Sequence, residues 1–247
     1  MSGVNAATYV RYEIKRTFRT RRFVLLAFGF PVGLYFLIAA PNRDTHSLAG
    51  SGLSAPLYFM IGLTAFGAMN AMLSAGARIA GERQVGWNRQ LRITPLSPRT
   101  YFRTKVLTGY VMAVGTMALM YVSGAILGVR LPAGEWLHMT WLILVGLVPF
   151  AALGILFGHL LSVDAVGPAM GGTTALLSFL GGVWFPIQHG ALHVIAELLP
   201  SFWLVQASRV ALGGSGWTAN GWLVMGAWSV LLAAGAMAAY RRDTGRA

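Results

Sequence analysis

The chain has 247 residues, 56% hydrophobic and 11% charged, with no cysteine and a formal net charge of +12. That composition lies outside the ordinary soluble range, and the missing cysteines exclude disulfides and thiolate metal sites. A basic surplus raises nucleic acid as a partner, so where the charges fall has to decide what they do.

Residues 7–22 predict an amphipathic helix. At 100° per residue Ala7, Val10, Ile14 and Phe18 share one arc, and Arg11, Lys15, Arg19 and Arg22 the adjoining one. Such a helix lies in the headgroup layer beside a span; the alternative is a plain basic retention tail. Six nearly uncharged runs follow, at 23–40, 57–77, 106–129, 141–161, 168–186 and 222–240. Each is near the ~20 residues that cross a ~30 Å hydrocarbon layer. A backbone in lipid must satisfy its own hydrogen bonds, so the runs predict an all-α integral membrane protein of six transmembrane helices, a single domain over 1–247. No cleaved leader is expected, because the positive segment before the first run is too long and Pro41 follows the small-residue pair Ala39-Ala40.

Pro31 and Pro149 predict kinks in the first and fourth runs. Residues 41–56 and 130–139 predict external loops. Ser162 to Gly167 predict a tight inner turn, with Pro168 opening the fifth span. Residues 187–221 carry Gln188, His189, His193, Glu197 and Pro200 and are too polar to cross; they predict short helices at the outer leaflet. Gly29/Gly33, Gly124/Gly128 and Gly154/Gly158 predict close helix approaches, within the chain or between subunits.

Sixteen of the 19 Lys and Arg residues fall before the first run, around the link between the second and third, or after the last. Only Arg43, Arg130 and Arg209 fall on the other side. The Lys/Arg-rich side is cytoplasmic, which places both termini inside. The surplus is then accounted for by topology and anionic lipid, with no nucleic acid partner. Trp136, Trp141, Trp184, Trp203, Trp217 and Trp222 map to the outer interface.

Little in the runs carries chemistry. His159 lies near the inner end of the fourth, with Asp164 beyond it and no partner carboxylate at helical spacing; it reads as a capped structural histidine. The sequence offers no paired carboxylates, metal-spaced histidines or nucleophile elbow. An intramembrane enzyme acting on lipid, and a channel or secondary transporter, are therefore the weaker function classes. Gly81 and Gly86 have Walker A spacing, but Trp87-Asn88 stand in place of Lys-Ser/Thr and no strand precedes them. No ATPase site, cofactor or metal is expected in this chain. Met60, Met69, Met72, Met112, Met117 and Met120 suit a path for hydrophobic molecules, or simple packing.

The longest inner link, residues 81–105, reads GERQVGWNRQLRITPLSPRTYFRTK. Residues 82–92 predict a short charged helix leaving the second span. Pro95 turns Thr94 away from helix, and Ser97-Pro98 look like an N-cap with proline at the first helical position. Arg103 and Lys105 are expected to snorkel at the start of the third span. A rigid helix–turn–helix of this kind suits being pushed by a partner.

This link resembles that of the ATP-binding-cassette type-2 export permeases, the group of bacterial drug, antibiotic and polysaccharide exporters. Glu82, Arg83, Gly86, Leu91, Thr94, Pro95, Leu96 and Lys105 match their pattern, whereas Trp87 replaces the usual Thr and Asn88-Arg89 the usual acid. A second stretch, 181–203, resembles the end of their fifth span and its external helices, through Gly181, Gly182, Phe185, Pro186, Leu199 and Pro200. The resemblance implies the transport subunit of an exporter in the bacterial plasma membrane, paired with an identical or paralogous permease. Separate ATPase subunits would hold ATP and Mg. It implies that 7–22 and Glu82, Arg83, Gly86, Leu91, Thr94 and Pro95 couple to the ATPase. It also implies that spans two and five line the path and that Gly182, Phe185, Pro186 and Pro200 form an outer gate. Multidrug or antibiotic efflux is the expected activity, with export of a lipid or lipid-linked glycan as the alternative.

Overall fold

The structure, a computed structural model, describes residues 6–86, 98–212 and 216–245. Helix α1 (Ala6–Arg19) precedes a short turn of helix, a five-residue π-helical segment (Leu25–Gly29) and α2 (Phe30–Ala39). Then come α3 (Ala55–Gln84), α4 (Pro98–Ile126), α5 (Ala133–Gly146), α6 (Val148–Leu160) and α7 (Val163–Leu180). The short α8 (Ala191–Glu197) and α9 (Pro200–Gln206), a 3₁₀ turn and α10 (Ala219–Gly245) complete the chain. No strand occurs among the described residues.

Among the described residues, four helices are long and apolar enough to cross a membrane: Ala55–Gln84, Arg99–Ile126, Ala133–Leu160 and Ala219–Asp243. The stretches expected as the first and fifth spans differ from these. The first is divided by the π-helical segment. Pro31 lacks an N–H, and its ring crowds the carbonyl four residues back, at Ala27 inside that segment; the wider turn accommodates both. The fifth, α7, has 18 residues and is diluted by Gly167, Pro168, Gly171, Gly172, Thr173 and Thr174. It also starts earlier than expected. Ser162 caps it by accepting a hydrogen bond from Ala165 N at 3.3 Å, so Pro168 lies inside the helix rather than opening it. Pro149 acts as expected, with α5 and α6 breaking at Leu147, two residues before it.

α3 is the axis of the bundle. It packs against α2, α4, α6, α7 and α9 and is buried along most of its length. Lipid tails are as apolar as leucine, so packing rather than hydrophobicity must hold such helices together. Small residues supply that fit at Gly76. A Cβ there would overlap the Gly154–Ile155 peptide, and one on Gly154 would lie 2.7 Å from the Leu73 carbonyl oxygen. Gly154/Gly158 therefore serve a contact within the chain. Within the chain, Gly29 and Gly33 meet nothing within 4 Å, and Gly128, with φ +88, lies just past the end of α4. The six methionines flagged above are all buried in the core, so they are packing. Trp203 and Trp217 are likewise core, with Trp217 Nε1 donating to the Trp203 carbonyl at 2.6 Å; Trp141 and Trp222 are exposed.

Candidate functional site: a charged joint at the basic end of the bundle

The ends of α1, α3, α4, α6 and α10 converge where the sequence concentrates its arginines. α3 runs on past residue 81, so no new helix begins at Glu82, and the 87–92 part of the helix expected there lies outside the described residues. The last turn of α3 contains Glu82 and Arg83, and it ends at Gln84. Gly86 marks the end: it has φ +69, and its N–H donates to Arg83 O at 3.1 Å, as the left-handed residue after a helix should. The glycine three residues after Arg83 is thus the terminator of α3. Leu91, Thr94 and Pro95, with the rest of the 87–97 segment, lie outside the described residues. Pro98 opens α4 as expected.

Glu82 and Arg83, adjacent in sequence, face different partners. Glu82 Oε1 accepts from Lys105 Nζ at 2.6 Å, and Lys105 Nζ also donates to Glu13 Oε1 at 2.7 Å. Tyr101 OH donates to Glu82 Oε2, and the Lys105 ammonium lies 5.2 Å from the Tyr101 ring centroid. The three ionic side chains are almost wholly buried, at 5% exposure for Glu13, 4% for Glu82 and 1% for Lys105. Arg16 reaches in from the rim, 3.4 Å from Glu82 and 3.8 Å from Glu13, and balances the charge. Thr17 accepts from Arg78 on α3. One ionic joint therefore fastens α1, α3 and α4.

This overturns the expectation that Lys105 snorkels. A lone ammonium would seek water, but two carboxylates from different helices supply its partners here. Glu13 is the residue the sequence reading missed. Its signal was an acid at 240° on the wheel of α1, apart from the basic arc and some 100° from the apolar one. α1 accordingly has three sides: Glu13 and Thr17 buried against the bundle, a part-buried apolar arc including Val10 and Ile14, and an exposed basic arc including Arg11, Lys15 and Arg19.

Arg83 faces the other way. Its Nε lies 2.8 Å from Asp243 Oδ2 on α10, and its Nη1 donates to Gly158 O at 3.2 Å and Leu161 O at 3.4 Å at the end of α6. His159 Nδ1 lies 3.1 Å from the same Asp243 oxygen. A carboxylate only accepts, so Nδ1 carries the proton. The imidazole sits edge-on between Phe102 and Tyr240. The carboxylate missing from its own helix comes from a residue 84 positions away.

At the opposite end, residues 181–189 close α7 and begin an open cleft of about 400 Å³. Gly182 has φ +77; its N–H donates to Phe179 O and that of Val183 to Ser178 O, the paired bonds of a Schellman cap. Tyr58 OH on α3 donates to Gly182 O, and Gly62 lets the Val183 backbone press against α3. Gly182 and Pro186 line the cleft, together with Gln188, His189, His193 and Gln206. Phe185 does not; it is exposed, with its ring 6.4 Å from that of Phe179. Pro200 is buried at the start of α9. The structure thus gathers Glu82, Arg83 and Gly86 at one end and Gly182 and Pro186 at the other.

The sequence profile described as ABC-2 family transporter protein matches residues 38–239. YvfS of Bacillus subtilis (strain 168), named as a transport permease, is 27% identical over 194 residues, covering 77% of this chain and 78% of its own. No solved structure matches the chain.

Proposed function

The chain belongs to the ABC-2 family of transporters, and from that premise we propose that it is the membrane subunit of an ATP-driven exporter whose ATPase subunits are separate polypeptides. Two such permeases, identical or paralogous, form the path across the bacterial plasma membrane, with the helical stretch 21–39 and α7 as the two shorter of six spans and both termini cytoplasmic. The cargo is hydrophobic, an antibiotic- or drug-like molecule or a lipid. ATP and Mg belong to the ATPase, and this chain supplies no catalytic group. The relative's description as a transport permease supports the same reading.

The observation that carries the mechanism is the burial of Glu82 between Lys105, Tyr101 and Arg16. A buried carboxylate does not touch a partner. It joins the two helices flanking the 87–97 segment to each other and to α1. A push on that segment then displaces α1, α3 and α4 as one body, because moving any of them alone strands a charge in a low-dielectric site. Arg83 links the same turn of α3 to α6 and α10. At the far end, α3 carries Tyr58 and Gly62 against the 182–183 turn, so displacement of α3 reaches the candidate outer gate at Gly182, Phe185, Pro186 and Pro200.

The test is Glu82→Ala in the permease co-reconstituted with its ATPase, following ATP-driven uptake of a lipophilic dye and of a fluorescent phospholipid into inside-out vesicles. Lys105 keeps Glu13 in this variant, so the complex should assemble while transport falls. Unchanged transport at equal expression contradicts the coupling assignment. Nucleotide-independent flux driven by an ion gradient would favour a channel or secondary transporter instead.

A further inference from the structure

The last turns of α10 read RRDTG, residues 241–245. Arginines there serve topology, but an acid among them does not. Asp243 takes both the Arg83 Nε at 2.8 Å and the His159 Nδ1 at 3.1 Å, while the same guanidinium binds the terminal carbonyls of α6. Phe102 on α4 and Tyr240 on α10 pack their rings 5.0 Å apart beside His159. The ends of α3, α4, α6 and α10 therefore meet around one carboxylate.

Exposure separates this cluster from its neighbour. Arg83 is 29% and Asp243 23% exposed, so water reaches the pair; Glu82 and Lys105 are at 4% and 1%. A screened pair opens at small cost, and a sealed one does not. Two consecutive residues of α3 thus hold a fixed joint on one side and a releasable contact on the other. We propose that Asp243 is a positioning residue: it latches the last helix and the end of α6 to Arg83 in the resting state, and the latch opens when the ATPase drives the 87–97 segment. This inference rests on the proposed coupling. α1, α3 and α4 keep their mutual positions through the cycle, whereas α10 moves relative to α3. His159 is the second arm of the latch: its ring holds the Asp243 carboxylate in line with Arg83.

The lack of native cysteine makes the test direct. Nitroxide labels at Val85→Cys and Arg242→Cys, both exposed positions, report the distance between the ends of α3 and α10. Labels at Arg11→Cys and Arg103→Cys report α1 against α4. In the reconstituted complex the first pair should give one narrow distance at rest and a second, longer one when the ATPase is trapped with ATP and vanadate. The second pair should not change. Asp243→Asn should raise the longer population without nucleotide roughly two- to fivefold, the range of an ion pair that water still screens, and Asp243→Glu should restore the resting distribution. A merely structural carboxylate would lower expression without creating that population. Identical distributions for wild type and Asp243→Asn overturn the latch, and so does a first-pair distance unmoved by vanadate in a complex that transports. If the wild-type complex shows no ATP-driven transport, the exporter reading falls, while the nucleotide-free comparison still judges the latch.

Discussion

Replacing Lys105 by methionine is the sharpest perturbation of the joint, because it removes a charge but little volume. In the wild type two buried carboxylates, Glu13 and Glu82, share one buried ammonium at 2.7 and 2.6 Å. Of the other cations near them, Arg16 is 65% exposed and 3.4–3.8 Å away, and the part-buried Arg78 acts on both through space while donating to Thr17. An exposed guanidinium at that range supplies only about 1 kcal/mol in a water-like dielectric. The variant therefore leaves two like charges a few ångströms apart without the one cation that hydrogen-bonds both. Breaking a buried ion pair from one side costs about 3–5 kcal/mol. For a chain of this size that corresponds to a loss of roughly 6–20 °C in thermal midpoint. The assay is thermal unfolding of the purified chain in detergent, followed by intrinsic tryptophan fluorescence. The triple variant Glu13→Gln/Glu82→Gln/Lys105→Met removes all three charges and should recover most of the loss, while transport stays low because the joint no longer resists separation. A midpoint for Lys105→Met within about 2 °C of wild type would show that the ammonium is solvated in the folded protein, and the fixed-joint argument would fail.

Three further outcomes follow from the fold. Gly76→Leu should force α3 and α6 apart at the point where the Gly154–Ile155 peptide lies against Gly76; a cost above the ~1–3 kcal/mol of ordinary overpacking is expected, seen as loss of the monodisperse peak in size-exclusion chromatography. Gly182→Ala should cost about 1–2 kcal/mol for a left-handed alanine, read as a lower thermal midpoint, because its φ is +77 and its Cβ would approach the Phe185 carbonyl oxygen at 3.4 Å. Ser162→Ala should destabilise only the first turn of α7, by about 1 kcal/mol, visible as faster amide exchange over 163–166 with the rest of the chain unchanged.

The periodicity of charge made the long helices readable, since an ionisable side chain near the middle of a span is costly and none occurs there. What it could not show was the termini. Ser162 caps α7, which starts at Val163, five residues before the proline expected to open it, and α3 continues through Glu82-Arg83 to a glycine whose sign of φ is invisible in a composition profile. The residues of the 81–105 link that match the family pattern were legible as types and spacing, but their chemistry was not. Lys105 read as a snorkelling charge and His159 as lacking a carboxylate because the partners, Glu13 and Asp243, lie 92 and 84 positions away. Only the packing of α1 and α10 against the bundle brings those acids in. The glycine pairs show the same limit: spacing marked three candidates, and the backbone contact uses Gly154/Gly158 against Gly76, a glycine with no partner four residues away in its own helix.

The account stands on the 81–105 link facing the compartment where ATP is hydrolysed. Single cysteines at Val85, exposed beside Gly86, and at Asn42, exposed in the first loop at the other end of the bundle, settle this in a chain with no cysteine of its own. A membrane-impermeant maleimide added to intact cells should label Asn42→Cys and spare Val85→Cys, with the pattern reversed in inverted vesicles. Labelling of Val85→Cys from outside intact cells would contradict the account.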